Sequence, residues 1–482
     1  MLAGWICCCL PAFSQGPPYT PDDTVQAPQD SLQRITIRKI LIEGNKKTKD
    51  YVIRRELTLK EGQTILAGNL DSIVLANRLQ VFNLKIFNEV NFNILNWSKD
   101  SLDLVIKVYE KWTLIPFPII KFADRNVNEW WKQRNHDFKR LQYGLNINWA
   151  NFTGRNDLFR VAISFGFSQL FENDYIIPQI NKKKTLGLAY ILLLNRSKRV
   201  AYNTLYDELQ YLDVSDIYHY INIKFDPSLI YRKRIHVTHF FNAGYSYTKV
   251  SDSVLLANPD YFTHNRNVQH VFKIGYTYEA DYRNVEAYPT EGWLLRMGIM
   301  NYGLGFMKDV KMTNLFFRFS KYEQWKKHPK WSLANYGKLE LSFPDKQPYN
   351  LQYERSLGYK ENLVRGYELY VIDGQQSLLF KTEQRFRLLD FRLKNLKRLQ
   401  GKGIMQKSLA YLPINIFLKT FFDAGYVWDN QFEMTNNLKN QWLLGFGVGM
   451  DVVTFGNQVF RIEYSVNRKL ENRVYLHFEQ PL

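Results

Sequence analysis

Residues 440–453 read NQWLLGFGVGMDVV. In an extended chain Trp442, Leu444, Phe446, Val448, Met450 and Val452 fall on one side, and Gln441, Gly445, Gly447, Gly449 and Asp451 on the other. The same period appears at 158–168, where Phe159, Val161, Ile163, Phe165 and Phe167 oppose Arg160, Ser164, Gly166 and Ser168. It appears again at 270–280, where Phe272, Ile274, Tyr276 and Tyr278 oppose Lys273, Thr277 and Glu279. From Lys111 to the end of the chain this period of two replaces the period of 3.6 found before it. Sixteen segments show it, centred near residues 117, 146, 163, 190, 203, 221, 242, 274, 297, 316, 337, 382, 420, 447, 462 and 476. A soluble sandwich would show turn signals every 8 to 12 residues, whereas these segments run about ten to fifteen and are spaced more widely. An even number of long, one-side-apolar strands closes into an antiparallel cylinder, so residues 112–482 are expected to form a sixteen-stranded transmembrane β-barrel.

Composition supports this. Aromatic residues make up 16% of the 482, with 31 Tyr and 33 Phe, yet no stretch approaches eighteen uninterrupted apolar residues. That excludes a spanning helix beyond the N-terminus and fits strands flanked by aromatic girdles. The formal charge of +18 is spread through turns and alternate strand positions. Such a distribution fits a polar lumen and the attraction of lipid head groups, and nucleic acid is not an expected partner. Cys7, Cys8 and Cys9 lie in an apolar segment ending at Ala12-Phe13-Ser14, which reads as a signal peptide over 1–14. A lipoprotein signal would need Cys after Leu-Ala-Gly, and Trp5 stands there. The remaining chain has no cysteine, so disulfides and thiolate metal sites are excluded from it.

Residues 15–31, with Pro17, Pro18, Pro21 and Pro28, have linker composition. Residues 32–111 read as a small α/β domain. A strand over 34–42 ends in the turn signal Glu43-Gly44-Asn45, and a short helix over 48–59 has Thr48 available as its cap. A second helix follows over 69–82, then strands at 90–95 and 102–109.

Four stretches resemble the BamA/TamA superfamily of outer-membrane barrels. IRKILIEGNKKTKDYV, residues 37–52, is similar to the opening of a POTRA (polypeptide-transport-associated) domain, whose first strand runs into a turn like Gly44-Asn45. DYRNVEAYPTEG, residues 281–292, resembles the family's Asp-x-Arg-Asx and Pro-x-x-Gly turn. Val364-Arg365-Gly366-Tyr367 matches the signature of its sixth extracellular loop, and FFDAGYVWD, residues 421–429, resembles its inward-facing aspartate strand. The resemblance implies that the loop folds into the lumen and that Arg365 pairs with Glu383 and Asp423. Physical chemistry agrees, because a guanidinium inside a barrel needs a bidentate acceptor. The stripe Gly445, Gly447, Gly449 precedes no helix, so it is not a nucleotide loop. Glycines on a lumen face let another backbone approach. Two departures from the family stand out. The last strand continues past Phe478 into Glu479-Gln480-Pro481-Leu482, leaving Phe478 as the aromatic near its end, and only one POTRA domain is present.

Pro116 and Pro118 lie in the first barrel strand, two residues apart, so both withhold a backbone donor from the same neighbour. If that neighbour is the last strand, the closing seam is weakly bonded. The histidines are scattered and the acidic pairs do not converge in a cleft, so no catalytic constellation, metal site or cofactor is expected. The resemblance implies assisted insertion, assembly or translocation of nascent outer-membrane or secreted polypeptides, with outer-membrane lipids and accessory assembly proteins as further partners. A secretion pore dedicated to one partner, or a passive channel, is the alternative.

Overall fold

The computed structural model describes residues 32–98, 100–123, 137–304, 309–344, 348–352, 357–358, 362–394, 411–430, 436–454 and 459–478. The expected signal peptide (1–14), the linker (15–31) and the last four residues lie outside them.

The small domain is built from strands β1 (Arg34–Glu43), β2 (Thr64–Leu66), β3 (Phe87–Leu95) and β4 (Ser101–Glu110), in the order β2-β1-β4-β3. β1 and β4 run parallel, and the outer pairs are antiparallel. Helices α1 (Asp50–Arg55) and α2 (Leu70–Phe82) contribute Ile53, Leu70 and Val81 to one core with Ile35, Ile37, Ile40, Leu104 and Ile106. Burial of each such side chain contributes roughly 1.5–3 kcal/mol. Two expectations need correction. The three-residue β2 is too short to show a period. Thr48 does not cap α1: Lys49 holds that position without a side-chain bond, while the Thr48 hydroxyl and N–H both donate to Glu110 (2.6 Å each).

The rest of the chain forms one sixteen-stranded sheet, antiparallel at every ladder. Its first five strands are β5 (Leu114–Phe122), β6 (Leu141–Ala150), β7 (Leu158–Gly166), β8 (Ser168–Ile177) and β9 (Leu186–Ser197). After a side hairpin, β10 (Val200–Leu205) and β11 (Glu208–Leu212), come β12 (Tyr220–Arg234), β13 (Val237–Val250), β14 (Val268–Asp281) and β15 (Gly292–Tyr302). β16 (Met312–Gln324), β17 (Trp331–Phe343), β18 (Gln376–Lys394) and β19 (Tyr411–Trp428) follow, then β20 (Leu443–Val453), β21 (Val459–Asn467) and β22 (Asn472–Phe478).

Sixteen strands were expected, but not this set. The segment near 203 belongs to the side hairpin, and the strand centred near 172, β8, takes its place. A single residue, Phe167, joins β7 to β8, and the break is marked only by Gly166, at φ +105°, which also fits the alternation of a continuous strand. Asn173 on the outward face further blurs the alternation of β8, where it donates to the Arg160 carbonyl (3.0 Å).

The sheet is inside out relative to a soluble protein. Large apolar side chains such as Leu145, Phe165, Phe225, Phe241, Ile274, Phe317, Leu418 and Phe446 are exposed, while Lys381, Glu383, Arg385, Lys419, Asp423, Asp451 and Glu463 are buried. That pattern belongs to a lipid-facing wall around a polar interior. Residues far apart in strand order meet inside, as when Tyr288 of the β14–β15 turn stacks on Phe417 of β19 (4.6 Å between ring centroids). The wall therefore curves around a filled lumen.

Among the described residues no ladder joins β5 to β22, the two ends of the sheet order. Hydrogen-bond parity places the prolines. Ala150 N–H donates to the Thr113 carbonyl and Ala123 N–H to the Arg140 carbonyl, so odd-numbered residues of β5 bond to β6. The even-numbered ones, Pro116 and Pro118 included, turn their backbone nitrogens to the opposite edge. Phe478 ends β22 opposite Phe460, and its side chain lies outside the described residues.

The small domain docks on the turns at one rim of the barrel. Thr48 accepts from Asn151 Nδ2 (2.8 Å), and Lys49 N–H donates to the Gly154 carbonyl (2.9 Å). Gly44 and Asn45 shape this contact: Gly44 has φ +89°, and Asn45 Nδ2 donates to the Thr48 carbonyl and to Asp50. Arg232 grips the buried Glu56 with both guanidinium nitrogens (2.8 and 2.7 Å). Arg232→Glu should loosen the docking by about 2 kcal/mol, because it leaves Glu56 buried against a like charge. Limited proteolysis around residue 112 should accelerate, and the exchanged pair Glu56→Arg with Arg232→Glu should slow it again. Equal digestion of all three forms would show that this pair does not hold the domain.

Candidate functional site: an arginine turn locked inside the barrel

The connection between β17 and β18 folds into the lumen and presents Val364-Arg365-Gly366-Tyr367 as a tight turn. Tyr367 N–H donates to the Val364 carbonyl (3.0 Å), and Gly366 takes the third position with φ +92°, where a side chain would be strained. Arg365 thus sits at the tip. Val364 and Tyr367 flank it, buried among Tyr336, Leu357, Ile372, Leu379, Val427 and Leu443.

Three strands supply the acceptors. Arg365 makes a fork with Asp423 of β19, through Nε (2.9 Å) and Nη2 (2.5 Å), and its N–H donates to the same carboxylate (3.0 Å). Nη1 donates to Glu383 of β18 (2.6 Å) and to Glu463 of β21 (3.0 Å). Phe421 lies 3.9 Å beneath the guanidinium carbon. A single loop side chain therefore ties together β18, β19 and β21. The expected partners Glu383 and Asp423 are in place, and Glu463 joins them.

The cluster extends further. Lys419 reaches Glu463 (2.9 Å) and Asp451 (2.8 Å), Arg385 forks onto Glu383 (2.8 and 2.6 Å), and Arg461 approaches Asp451 (3.3 Å). Four carboxylates, Glu383, Asp423, Asp451 and Glu463, meet four cations, Arg365, Arg385, Lys419 and Arg461. Such mutual pairing is what permits this many charges to be buried. Asp451 and the Arg461–Glu463 pair lie on polar faces with period two, so alternation alone marks them as lumen residues. Their convergence depends on the barrel register, which no single strand encodes.

Glycine makes room for the turn. A Cβ on Gly445 would stand 1.8 Å from the Arg365 carbonyl oxygen. The end of β21 and the turn after it also hold the loop: Asn467 Nδ2 donates to the Gly366 carbonyl (2.9 Å), and Tyr370 OH donates to Glu471 (2.9 Å). Above it the β10–β11 hairpin forms a cover. The Asp207 carbonyl accepts from Val371 N–H (2.9 Å), Thr204 OH donates to Asp373, and Asn436 Nδ2 donates to the Thr204 carbonyl (2.7 Å).

The acidic side chains, expected not to converge, here form one cluster in which each is paired with a cation. The cluster is a latch: charge-assisted bonds that hold a loop in the lumen and can exist only while the loop stays there.

Residues 151–476 match the Omp85 superfamily domain, and residues 35–111 match a POTRA family described as a surface antigen variable number repeat. The fold is similar to that of BamA from Haemophilus ducreyi lacking POTRA domains 1–3, with a TM-score of 0.50, 16% identity, and coverage of 92% of this chain and 83% of that one. It is also similar to CdiB from Escherichia coli, with a TM-score of 0.52, 11% identity, and coverage of 93% and 75%. No curated protein is similar to the chain in sequence. The chain therefore belongs to the Omp85 superfamily, outer-membrane barrels that handle polypeptides, and it carries a periplasmic POTRA domain ahead of its barrel.

Proposed function

We propose that this protein inserts outer-membrane polypeptides through the seam between β5 and β22, after they dock on the POTRA sheet. The observation that carries this reading is the seam itself: no ladder joins its two strands among the described residues, and Pro116 and Pro118 remove two donors from the β5 edge. The lumen offers a worse route. Passage along it would require Arg365 to leave three buried carboxylates. The seam opens without disturbing them. Energy for insertion comes from burial of the client's apolar strand faces and closure of its backbone hydrogen bonds, so neither a nucleotide nor any catalytic group is required.

The test restores the missing donors. Pro116→Thr with Pro118→Thr gives the β5 edge two N–H groups, each worth about 0.5–1.5 kcal/mol when bonded. Client barrels in the outer membrane should fall several-fold while the variant itself folds and inserts normally. Unchanged client levels would remove the seam as the route. Loss of export of one secreted partner, with barrels unaffected, would favour a secretion pore.

A further inference from the structure

We infer that the periplasmic turn 282–291 is a second latch, with Tyr288 as the positioning residue that transmits the seating of the POTRA domain to the Arg365 cluster. The argument begins with how rigid the turn is. Asp281 accepts a fork from Arg283 (2.9 and 2.7 Å), Asn284 Nδ2 donates to Thr290 Oγ1 (2.9 Å), and Asn284 N–H donates to the Glu291 carbonyl (3.0 Å). Gly292, at φ +96°, closes the turn where a Cβ would stand 2.1 Å from the Tyr282 carbonyl oxygen. Asp281, Arg283 and Asn284 are thus occupied within the turn itself. Their product is a stiff loop that points Tyr288 into the barrel.

Both ends of this loop are engaged. Inside, Tyr288 OH donates to Asp451 (3.1 Å), its ring stacks on Phe417, and the Arg385 guanidinium lies 4.6 Å over it. Arg385 also donates to the Pro289 carbonyl (3.2 Å). Asp451 and Arg385 are members of the cluster that holds Arg365, through Lys419 and Glu383. Outside, the end of POTRA helix α2 grips the same loop. Asn83 Nδ2 donates to the Asn284 carbonyl (3.2 Å), Glu286 N–H donates to Asn83 Oδ1 (3.4 Å), and Lys85 pairs with Glu286 (2.8 Å). A chain of direct contacts therefore runs from helix α2 to Arg365 through one tyrosine. Coupling carried this way needs an element with two arrangements, and the loop supplies it: seated with Tyr288 in the lumen, or withdrawn with the POTRA domain. The consequence for insertion rests on the reading above, that clients dock on the POTRA domain. The coupling itself does not.

The experiment reads loop position without any client. The exported protein, freed of residues 1–14 and with them of every native cysteine, carries a lone introduced cysteine, Leu369→Cys, beside the arginine turn. Its labelling rate with a polar maleimide is measured in detergent, on protein whose heat-dependent gel mobility shows a folded barrel. Arg365→Ala sets the rate for a released loop. Tyr288→Ala should raise labelling more than ten-fold and Tyr288→Phe by less, since the ring stays. Glu286→Lys, at a half-exposed surface pair, should raise it about three-fold, and adding Lys85→Glu should return it toward the starting rate. The charge exchange separates transmission from mere structural damage. If Glu286→Lys and its rescue leave labelling unchanged while Arg365→Ala raises it, the POTRA domain does not speak to the loop through this turn. If Tyr288→Ala leaves it unchanged, Tyr288 is not the link. Neither result would bear on whether the seam admits clients.

Discussion

Replacing Arg365 by Ala is expected to cost about 3–5 kcal/mol and to release the lumen loop, because Asp423, Glu383 and Glu463 would face one another with no guanidinium between them. Those three carboxylates are at most 1% exposed, so water cannot replace the lost donor. Arg365→Lys should recover little. One ammonium cannot reproduce a fork onto Asp423 together with bonds to two further acids, and its reach is shorter. A second change gives the sign of the effect. Asp423→Asn added to Arg365→Ala removes one of the stranded charges and should regain part of the loss, although in the native background Asp423→Asn alone is destabilising. The midpoint of barrel unfolding, read by heat-dependent gel mobility, separates these variants. If Arg365→Ala left that midpoint unmoved, the cluster would be ornamental, and the latch with it.

The second large effect comes from adding atoms. Gly445→Val places a Cβ where the Arg365 carbonyl oxygen already lies, 1.8 Å away, and neither β20 nor the turn can retreat without breaking paired ladders or ion pairs. Overpacking of this kind usually costs 1–3 kcal/mol, and a backbone neighbour puts it at the upper end of roughly that range or beyond. The expected result is a folded barrel with the loop expelled, shown by labelling at Leu369→Cys as fast as that of Arg365→Ala. Gly337→Ala is the control. No atom lies within 4 Å of its Cβ position, so it should behave as the unaltered protein does. Equal labelling of the Gly445 and Gly337 variants would mean that the turn does not occupy that space in the membrane.

What could be read from the residues follows from where the information is stored. Alternation is local, so the wall of the barrel and the glycine stripe could be read from the residues, while the acids at 383 and 423 were named through the resemblance and only their polar faces through alternation. Breaks with little punctuation could not be read. Only Gly166 and Phe167 divide β7 from β8, where the glycine fits the alternation too, and a hairpin with ordinary strand composition, β10–β11, stood in for the strand that was overlooked. Partnership across the lumen depends on register summed over many strands, which is why Glu463 and Arg461 were legible as inward residues yet not as neighbours of Arg365. Tyr288 lies in a turn, where no period exists to betray it. Proline parity is an intermediate case: the spacing of 116 and 118 shows that both nitrogens share an edge, and only the bonds of Thr113 and Ala123 decide which.

On the proposed seam route a client must also be released. A client strand aligned along β5 would find imino nitrogens at 116 and 118 where it needs donors, and forfeits about 1 kcal/mol at each. Together these make departure roughly thirty-fold faster than from an unbroken edge. On that route the defect that loosens the wall would also serve turnover, keeping the finished product from remaining as a seventeenth strand.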